Sequence, residues 1–344
     1  MNLSFLKNKK ILVTGGTGSI GSALVLQLIQ SKCNVIRVMS NDENGLYEFS
    51  KKINSSFTLN YNIFENQMKK NRLRFFLGDV RDFNRCKKIT QDVDIVIHAA
   101  AVKHVAICEY NSNEAMQTNL KGTQNMLKAS VINNVSKFIF ISTDKVVTPS
   151  NVMGFSKLLA ERYVMNSKKI FKNKKTKVCS VRFGNVIGSR GSVVPNFINQ
   201  LKNKKDIFVT DKKMTRFVMS LEQSVNLILS SVKKMKGGEI FILKSMHCIK
   251  IIDLANALKN FFNKKNKSLS KVKISNKLEG EKLNEELFTK KEMNYLTESK
   301  NVYIIKKKTS LLKNRILLKK FEKFRVSNFN FMTEKKNNFL FKKK

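Results

Sequence analysis

Residues 142–145, Ser-Thr-Asp-Lys, close an apolar run, KFIFIST (137–143), and precede a helix-like run, FSKLLAERYVM. Thr143, Asp144 and Lys145 therefore fall at the carboxyl end of a strand, where α/β proteins gather their reactive groups. That placement favours a site over an exposed turn pair. Farther on, Met153 and Lys157 are four residues apart and share one helix face. Lysine brings a movable proton and a positive field. A thioether brings no exchangeable hydrogen.

A second cluster lies near the start of the chain. KKILVTG (9–15) reads as a short apolar strand, and TGGTGSIGS follows it, with Gly15, Gly18 and Gly21 in TGxxGxxG spacing ahead of a helix-period run (19–32). Glycines there permit a tight turn and the approach of a pyrophosphate to backbone N–H groups, backed by the positive end of the helix. Thr17, Ser19 and Ile20 complete that loop. No GK[ST] follows, which excludes a Walker-type phosphate loop. The next strand, NVIRVMS (34–40), runs on as Ser40-Asn41-Asp42-Glu43; Ser40 accepts either cofactor and Asp42 is expected to point elsewhere, so NADP is preferred and NAD remains open. Asp79 and Val80 are expected near the adenine, and Ala99, Ala100 and Ala101 as a small-residue edge against the cofactor.

The elements needed to position these groups can be read from the pattern. Near-continuous apolar strands at 9–15, 34–40, 72–80, 93–101 and 137–143 alternate with helices, including one over 111–134. Residues 41–70 read as a helix plus a loop. That is the signature of a parallel sheet covered on both faces. The expected architecture is α/β: a Rossmann-type doubly wound parallel sheet (1–180) with a smaller C-terminal substrate-binding lobe (181–305), segments of which return to the sheet, and a basic tail (306–344). IFVTD and GEIFILK are read as pieces of the lobe.

Composition limits the alternatives. Five scattered cysteines without a CxxC pair and only three histidines give no basis for a structural metal. No run of 18 apolar residues and no signal-peptide pattern occurs, so a cytoplasmic protein without a membrane span is expected. The formal charge of +41 comes from 66 basic residues, of which 55 are lysine and 11 arginine. These lysines are dispersed and not interleaved with aromatics, unlike a single-strand-binding groove. With abundant Asn and only two prolines, the charge reads as base-composition drift, and no nucleic-acid partner is expected. An anionic substrate would still benefit from the field.

TGGTGSIGS, GDVRD, HAAAVKHV, EYN, TNLKGTQN, STDK, MGFSK, RFGNVIGSRGSVVP, MTRF and GEKLNEEL occur in this order over roughly residues 10–290. Together they resemble the extended short-chain dehydrogenase/reductase superfamily and, more closely, its UDP-N-acetylglucosamine 4,6-dehydratases of the C5-inverting kind. The resemblance implies a UDP-sugar substrate, an internal NAD(P) redox cycle and a homo-oligomer. It implies Asp144 as general acid at C6, Lys145 as base at C5, Thr143 as a hydrogen-bond partner of the C4 oxygen, and Lys157 on the cofactor ribose. A lysine base must be partly neutral, and burial is expected to lower the Lys145 pKa. Asn119 would support the catalytic lysine through a helix irregularity. Lys103, His104, Asn185, Ser192 and Val193 would face the sugar diphosphate, Thr210 and Arg216 the uridine and phosphates, and Glu281 the uridine ribose. Glu109 and Tyr110 would shape the pocket wall, and Cys108 would be core beside it. Met153 replaces the superfamily tyrosine, leaving three readings: a Met-bearing subgroup with the proton relayed by Asp144 or water, a slowed or inactive paralogue, and a nucleotide-binding protein. A retaining dehydratase and a UDP-hexose 4-epimerase remain alternatives. Leu278 stands where the family carries an arginine two residues before the glycine of GEKL, and Lys277 is expected to supply the lost charge.

Overall fold

The computed structural model describes residues 2–56, 72–172, 175–266, 269–277 and 279–306. Leu278, residues 57–70 of the expected loop and 307–344 of the expected tail lie outside them.

The central apolar runs become strands because helices cover both faces of the sheet and nearly every position is buried, whereas the edge run Leu73–Leu77 buries only Leu73. Lys10–Thr14 (β1), Val35–Ser40 (β2), Leu73–Leu77 (β3), Ile95–His98 (β4), Lys137–Thr143 (β5) and Lys177–Phe183 (β6) pair in parallel in the order β3-β2-β1-β4-β5-β6. In β1, Ile11, Leu12, Val13 and Thr14 are all buried. Strands β3 and β4 are shorter than their apolar runs, because GDV and the three alanines turn away as loops at the carboxyl edge. The sheet order reverses between β1 and β4. A crevice opens there, outside the strand ends, as doubly wound sheets require.

Two features of the sheet bear on the expected division. A cut at residue 180 would pass through β6, which runs unbroken beside β5 from Lys137↔Lys177 to Thr143↔Phe183. GEIFILK also joins the main sheet. Asn185–Val186 (β7), Ile207–Val209 (β8) and Thr215–Met219 (β9) precede Glu239–Leu243 (β10), which pairs parallel to β6. Its five residues are all buried. His247–Lys250 (β11) and Val272–Ile274 (β12) follow. Leu296–Ser299 (β13) and Val302–Ile305 (β14) then close the nine-stranded sheet as an antiparallel edge.

The helices that bear on the site are Ser19–Ile29 (α1), Val105–Tyr110 (α2), Ser112–Met116 (α3), Gly122–Ile132 (α4), Val152–Met165 (α5) and Val193–Lys202 (α6). The helix expected over 111–134 is divided. Gln117–Lys121 forms a π segment between α3 and α4, an irregularity of the kind expected around Asn119. Helix α5 starts where Asn151 accepts from the Gly154 N–H at 2.7 Å. Beyond β6, the sheets β11-β9-β7 and β12-β8 enclose a separate core that includes Val194, Phe197, Leu201 and Leu258. No described helix is long and apolar enough to cross a membrane.

Candidate functional site

A cleft of about 630 Å³ lies over the carboxyl ends of β1, β4 and β5. Its floor is the glycine loop. Gly15 has φ +64°, and a Cβ there would stand 2.7 Å from the Ala100 backbone nitrogen. A Cβ on Gly21 would lie 2.2 Å from the Gly15 carbonyl. Only glycine therefore lets the loop pack against both β4's exit and the start of α1. Gly18 caps α1 without a side-chain hydrogen bond, so the first N–H groups of this helix remain available to a ligand. Thr17, Ser19 and Ile20 line the same wall.

Ser40 ends β2 at the cleft, its hydroxyl 2.9 Å from Thr17 Oγ1. Asp42 also lines it, with one carboxylate oxygen accepting from the Gly45 N–H at 2.8 Å. Asp79, Val80, Ala99, Ala100 and Ala101 complete the cofactor-sized half. The Asp79 carboxyl is held below its usual range, since the Arg81 hydrogen bonds outweigh partial burial. The glycine cradle, the uncapped helix end and the strand-end hydroxyl together fit a dinucleotide.

The reactive half is built on β5 and α5. Thr143 Oγ1 donates to Asp144 Oδ1 at 2.9 Å, and the Lys145 ammonium approaches the same oxygen at 3.1 Å. Asp144 is fully buried and does not line the cleft; its Oδ2 has no partner. Thr143 and Lys145 do line it. Lys145 Nζ also meets Asn185 Oδ1 at 3.3 Å and Glu285 Oε1 at 3.4 Å. Burial works to lower the Lys145 pKa, but Asp144 and Glu285 outweigh it and the value is raised. The lowering expected from sequence is thus overturned, because two carboxylates share this one amine.

Lys157 behaves in the opposite way. It is buried, donates to the Ile141 carbonyl at 2.5 Å and stands 4.0 Å from the centre of the Phe140 ring. Burial pulls its pKa down to about 7, against the opposing charge of Glu161. Asn119 does not line the cleft. From the π segment it donates to the Val102 carbonyl and to Ser156 Oγ, each at 3.0 Å, and accepts from the Val102 N–H at 2.9 Å. It thereby ties the loop after β4 to the helix turn that carries Lys157.

Met153 lines the cleft and is 4% exposed, packed in a small cluster with Cys108 and Ala115. Cys108 is core, as expected. Glu109 accepts from the Val152 N–H at 2.7 Å and so fixes the start of α5. Tyr110 is 91% exposed and forms no part of the wall, because it closes α2 on the side facing solvent.

Of the residues read as sugar-diphosphate contacts, Lys103, His104, Asn185 and Ser192 line the cleft, and the Ser192 hydroxyl is buried without a partner. Burial and neighbouring positive charge lower the Lys103 and His104 pKa values. Val193 begins α6 behind Ser192 and packs on the lobe's core. Thr210, Arg216 and Glu281 lie outside the cleft lining: Thr210 donates to Met214 Sδ at 3.7 Å, and Arg216 meets Glu281 at 3.6 Å. Sequence reasoning missed Arg190 and Glu285. Arg190 lies over the glycine loop, where its backbone N–H donates to Ser19 Oγ at 2.9 Å and its carbonyl accepts from Lys103. It stands in RFGNVIGSRG, which offered a signal. Glu285 follows Glu281 in GEKLNEEL, but no spacing ties it to Lys145.

Comparison with known proteins agrees with this geometry. Residues 11–307 match the model of a family described as polysaccharide biosynthesis protein. A UDP-N-acetylglucosamine 4,6-dehydratase (inverting) of Campylobacter jejuni is 40% identical over 86% of this chain and 82% of its own. A UDP-glucose 4-epimerase of Rickettsia bellii is 39% identical over 87% and 83%. Among solved structures, Pen from Bacillus thuringiensis superimposes with a TM-score of 0.86 at 34% identity, covering 99% of both chains. The chain belongs to the polysaccharide biosynthesis protein family of nucleotide-sugar dehydratases and epimerases, built on the extended short-chain dehydrogenase/reductase fold.

Proposed function

We propose that the protein is a UDP-N-acetylglucosamine 4,6-dehydratase that forms a 4-keto-6-deoxy UDP-sugar with inversion at C5. The observation that carries this reading is the Asp144–Lys145 ion pair at the end of β5, with Asp144 buried and Lys145 reaching a cleft where Met153 stands in place of a proton-carrying hydroxyl. A nicotinamide cofactor, when bound along the glycine loop, supplies the reversible oxidation at C4. Lys157 then fixes the cofactor ribose, and Thr143 holds the C4 oxygen. Lys145 takes the C5 proton, which the neighbouring ketone acidifies. Asp144, linked to the cleft through Thr143 and Lys145, supplies the proton for the departing C6 hydroxyl.

Ser40 at the end of β2, with one Asp42 oxygen engaged by Gly45, supports NADP as the cofactor. Dinucleotide released from the purified protein identifies it by mass. Lys103, His104, Asn185 and Ser192 are assigned to the sugar diphosphate, and Arg216 with Glu281 to the uridine end. A homo-oligomer acting in the cytoplasm, where nucleotide sugars are made, goes with this reading.

The second reading, a 4-epimerase, has relatives in its favour. It needs a hydroxyl at position 153 and has no use for Asp144 and Lys145. Incubation with UDP-N-acetylglucosamine in deuterated water separates the two. Loss of one water with deuterium at C5 is the expected result, and the sugar's proton couplings report inversion. A C4 epimer with no deuterium at C5 would establish the epimerase instead. Lys145→Ala should lower turnover by about 10²- to 10⁴-fold with the dinucleotide still bound.

A further inference from the structure

A base at C5 needs an amine with a free electron pair, yet the surroundings of Lys145 favour its ammonium form. The residue that resolves this conflict is Glu285. Its carboxyl is 2% exposed, Oε1 lies 3.4 Å from Lys145 Nζ, and Oε2 makes no hydrogen bond. Glu285 does not line the cleft, so the sugar meets Lys145 and Glu285 stands behind it. Four charged groups face the carboxyl: Lys145 and Asp144 from the end of β5, Arg216 from β9, and Lys282 on its own segment at 3.7 Å. Arg216 is itself engaged by Glu281.

We propose that Glu285 is the proton partner of Lys145: it takes one proton from the ammonium, so that the freed amine can accept the C5 proton of the sugar. The step rests on the dehydratase reading above. One N–H bond of Lys145 breaks as an O–H bond forms on Glu285, converting an ion pair into a neutral amine and a neutral carboxylic acid. The amine's electron pair then bonds the C5 proton, and the C–H electrons remain on the sugar as the enolate of the ketone. Proton and charge are conserved at each stage. Low polarity favours the neutral pair, because burial penalises both charges at once. Burial accordingly raises the Glu285 pKa, with Asp144 acting in the same direction and Lys145, Arg216 and Lys282 opposing. The two groups titrate as one unit, so the catalytic form is the pair bearing a single exchangeable proton. Glu285 is a positioning residue for that proton and touches no substrate atom.

The test compares wild type with Glu285→Gln and Glu285→Asp. At about pH 7, Glu285→Gln should lose about 10²-fold in C5 exchange and turnover. Its rate should recover as pH rises toward the lysine range near 10, where the amine loses its proton directly to water. Wild type should show no such alkaline dependence. Glu285→Asp keeps a carboxylate and should regain part of the neutral-pH rate. A second readout needs neither cofactor nor sugar: acylation of Lys145 against pH, followed by peptide mass spectrometry. With no carboxylate to take its proton, Lys145 in Glu285→Gln should be less reactive than in wild type at about pH 7, in parallel with the loss of turnover, and should recover as pH rises toward about 10.

An unchanged acylation profile in a wild type that does turn over would overturn the Glu285 role alone. Loss of turnover at every pH, without alkaline recovery, would make Glu285 purely structural and equally overturn it. Should Glu285→Gln not fold, Glu285→Ala carries both measurements, and wild-type behaviour in both defeats the proposal. A wild type that neither dehydrates the sugar nor exchanges C5 would remove the dehydratase reading and this step with it.

Discussion

Met153 lines the cleft and sits against Cys108 and Ala115, with Val102, Val105 and Val152 around them, so its neighbours are apolar. Leucine has nearly the same volume, and such exchanges usually cost less than about 1.5 kcal/mol. Met153→Leu should keep turnover within a few-fold of wild type, measured as product formed per enzyme; a loss of about 10²-fold would assign the thioether a part in the reaction. Lys157 makes a different demand. Its folded pKa of about 7 lies below the value near 10.4 of a free lysine, so the unfolded chain binds more protons between them. Stability therefore rises with pH across that window, by up to about 1.4 kcal/mol per unit from this residue, and the slope fades below about 7. Lys157→Met should remove that contribution, seen by comparing denaturant midpoints of both proteins at about pH 8 and about pH 9.

At the scale of elements, one buried cation joins β6, α5 and the short helix Lys290–Met293 (α7). The Arg182 guanidinium meets Glu161 at 2.6 Å and Glu292 at 2.7 Å, and both carboxylates accept a second bond from it. Glu292 also closes a capping box with Thr289 at the start of α7. Together these contacts hold the segment after Glu285 onto the Rossmann sheet. Removing one member leaves Arg182 under-neutralised in the interior, so Glu292→Ala should destabilise the protein by about 3 kcal/mol in denaturant unfolding. An effect under about 1 kcal/mol would mean that Glu161 alone satisfies the guanidinium. The π segment is the other element with a local consequence. It brings Asn119 between Val102 and Ser156, which a regular helix from 111 to 134 would not present in the same way.

Across the whole molecule the formal charge is +41. A nucleotide sugar arrives as an anion, so this field steers it and is screened by salt within about 10 Å at 0.1 M. kcat/KM should fall as ionic strength rises, while kcat, which follows binding, changes little. A salt-independent kcat/KM would mean that the lysines contribute nothing to capture.

Much of this was legible in the chain itself. Apolar runs of strand length fixed β1, β2 and β5, because a strand buried on both faces has little tolerance for polar residues. The glycine spacing marked the loop that floors the cleft, because the approaches around Gly15 and Gly21 leave no room for a side chain. STDK was legible because adjacency in sequence places Thr143, Asp144 and Lys145 together at a strand end.

The lobe boundary was not legible: the burial that puts β10 in the main sheet is supplied by β6 and β14, which are distant in sequence. Nor was the charge state of Lys145. Its own burial argues for a lowered pKa, and Asp144 together with Glu285, brought in by the chain's return, reverses the sign. Local geometry follows from neighbours in sequence, whereas electrostatics follows from neighbours in space, and those exist only after the chain has folded.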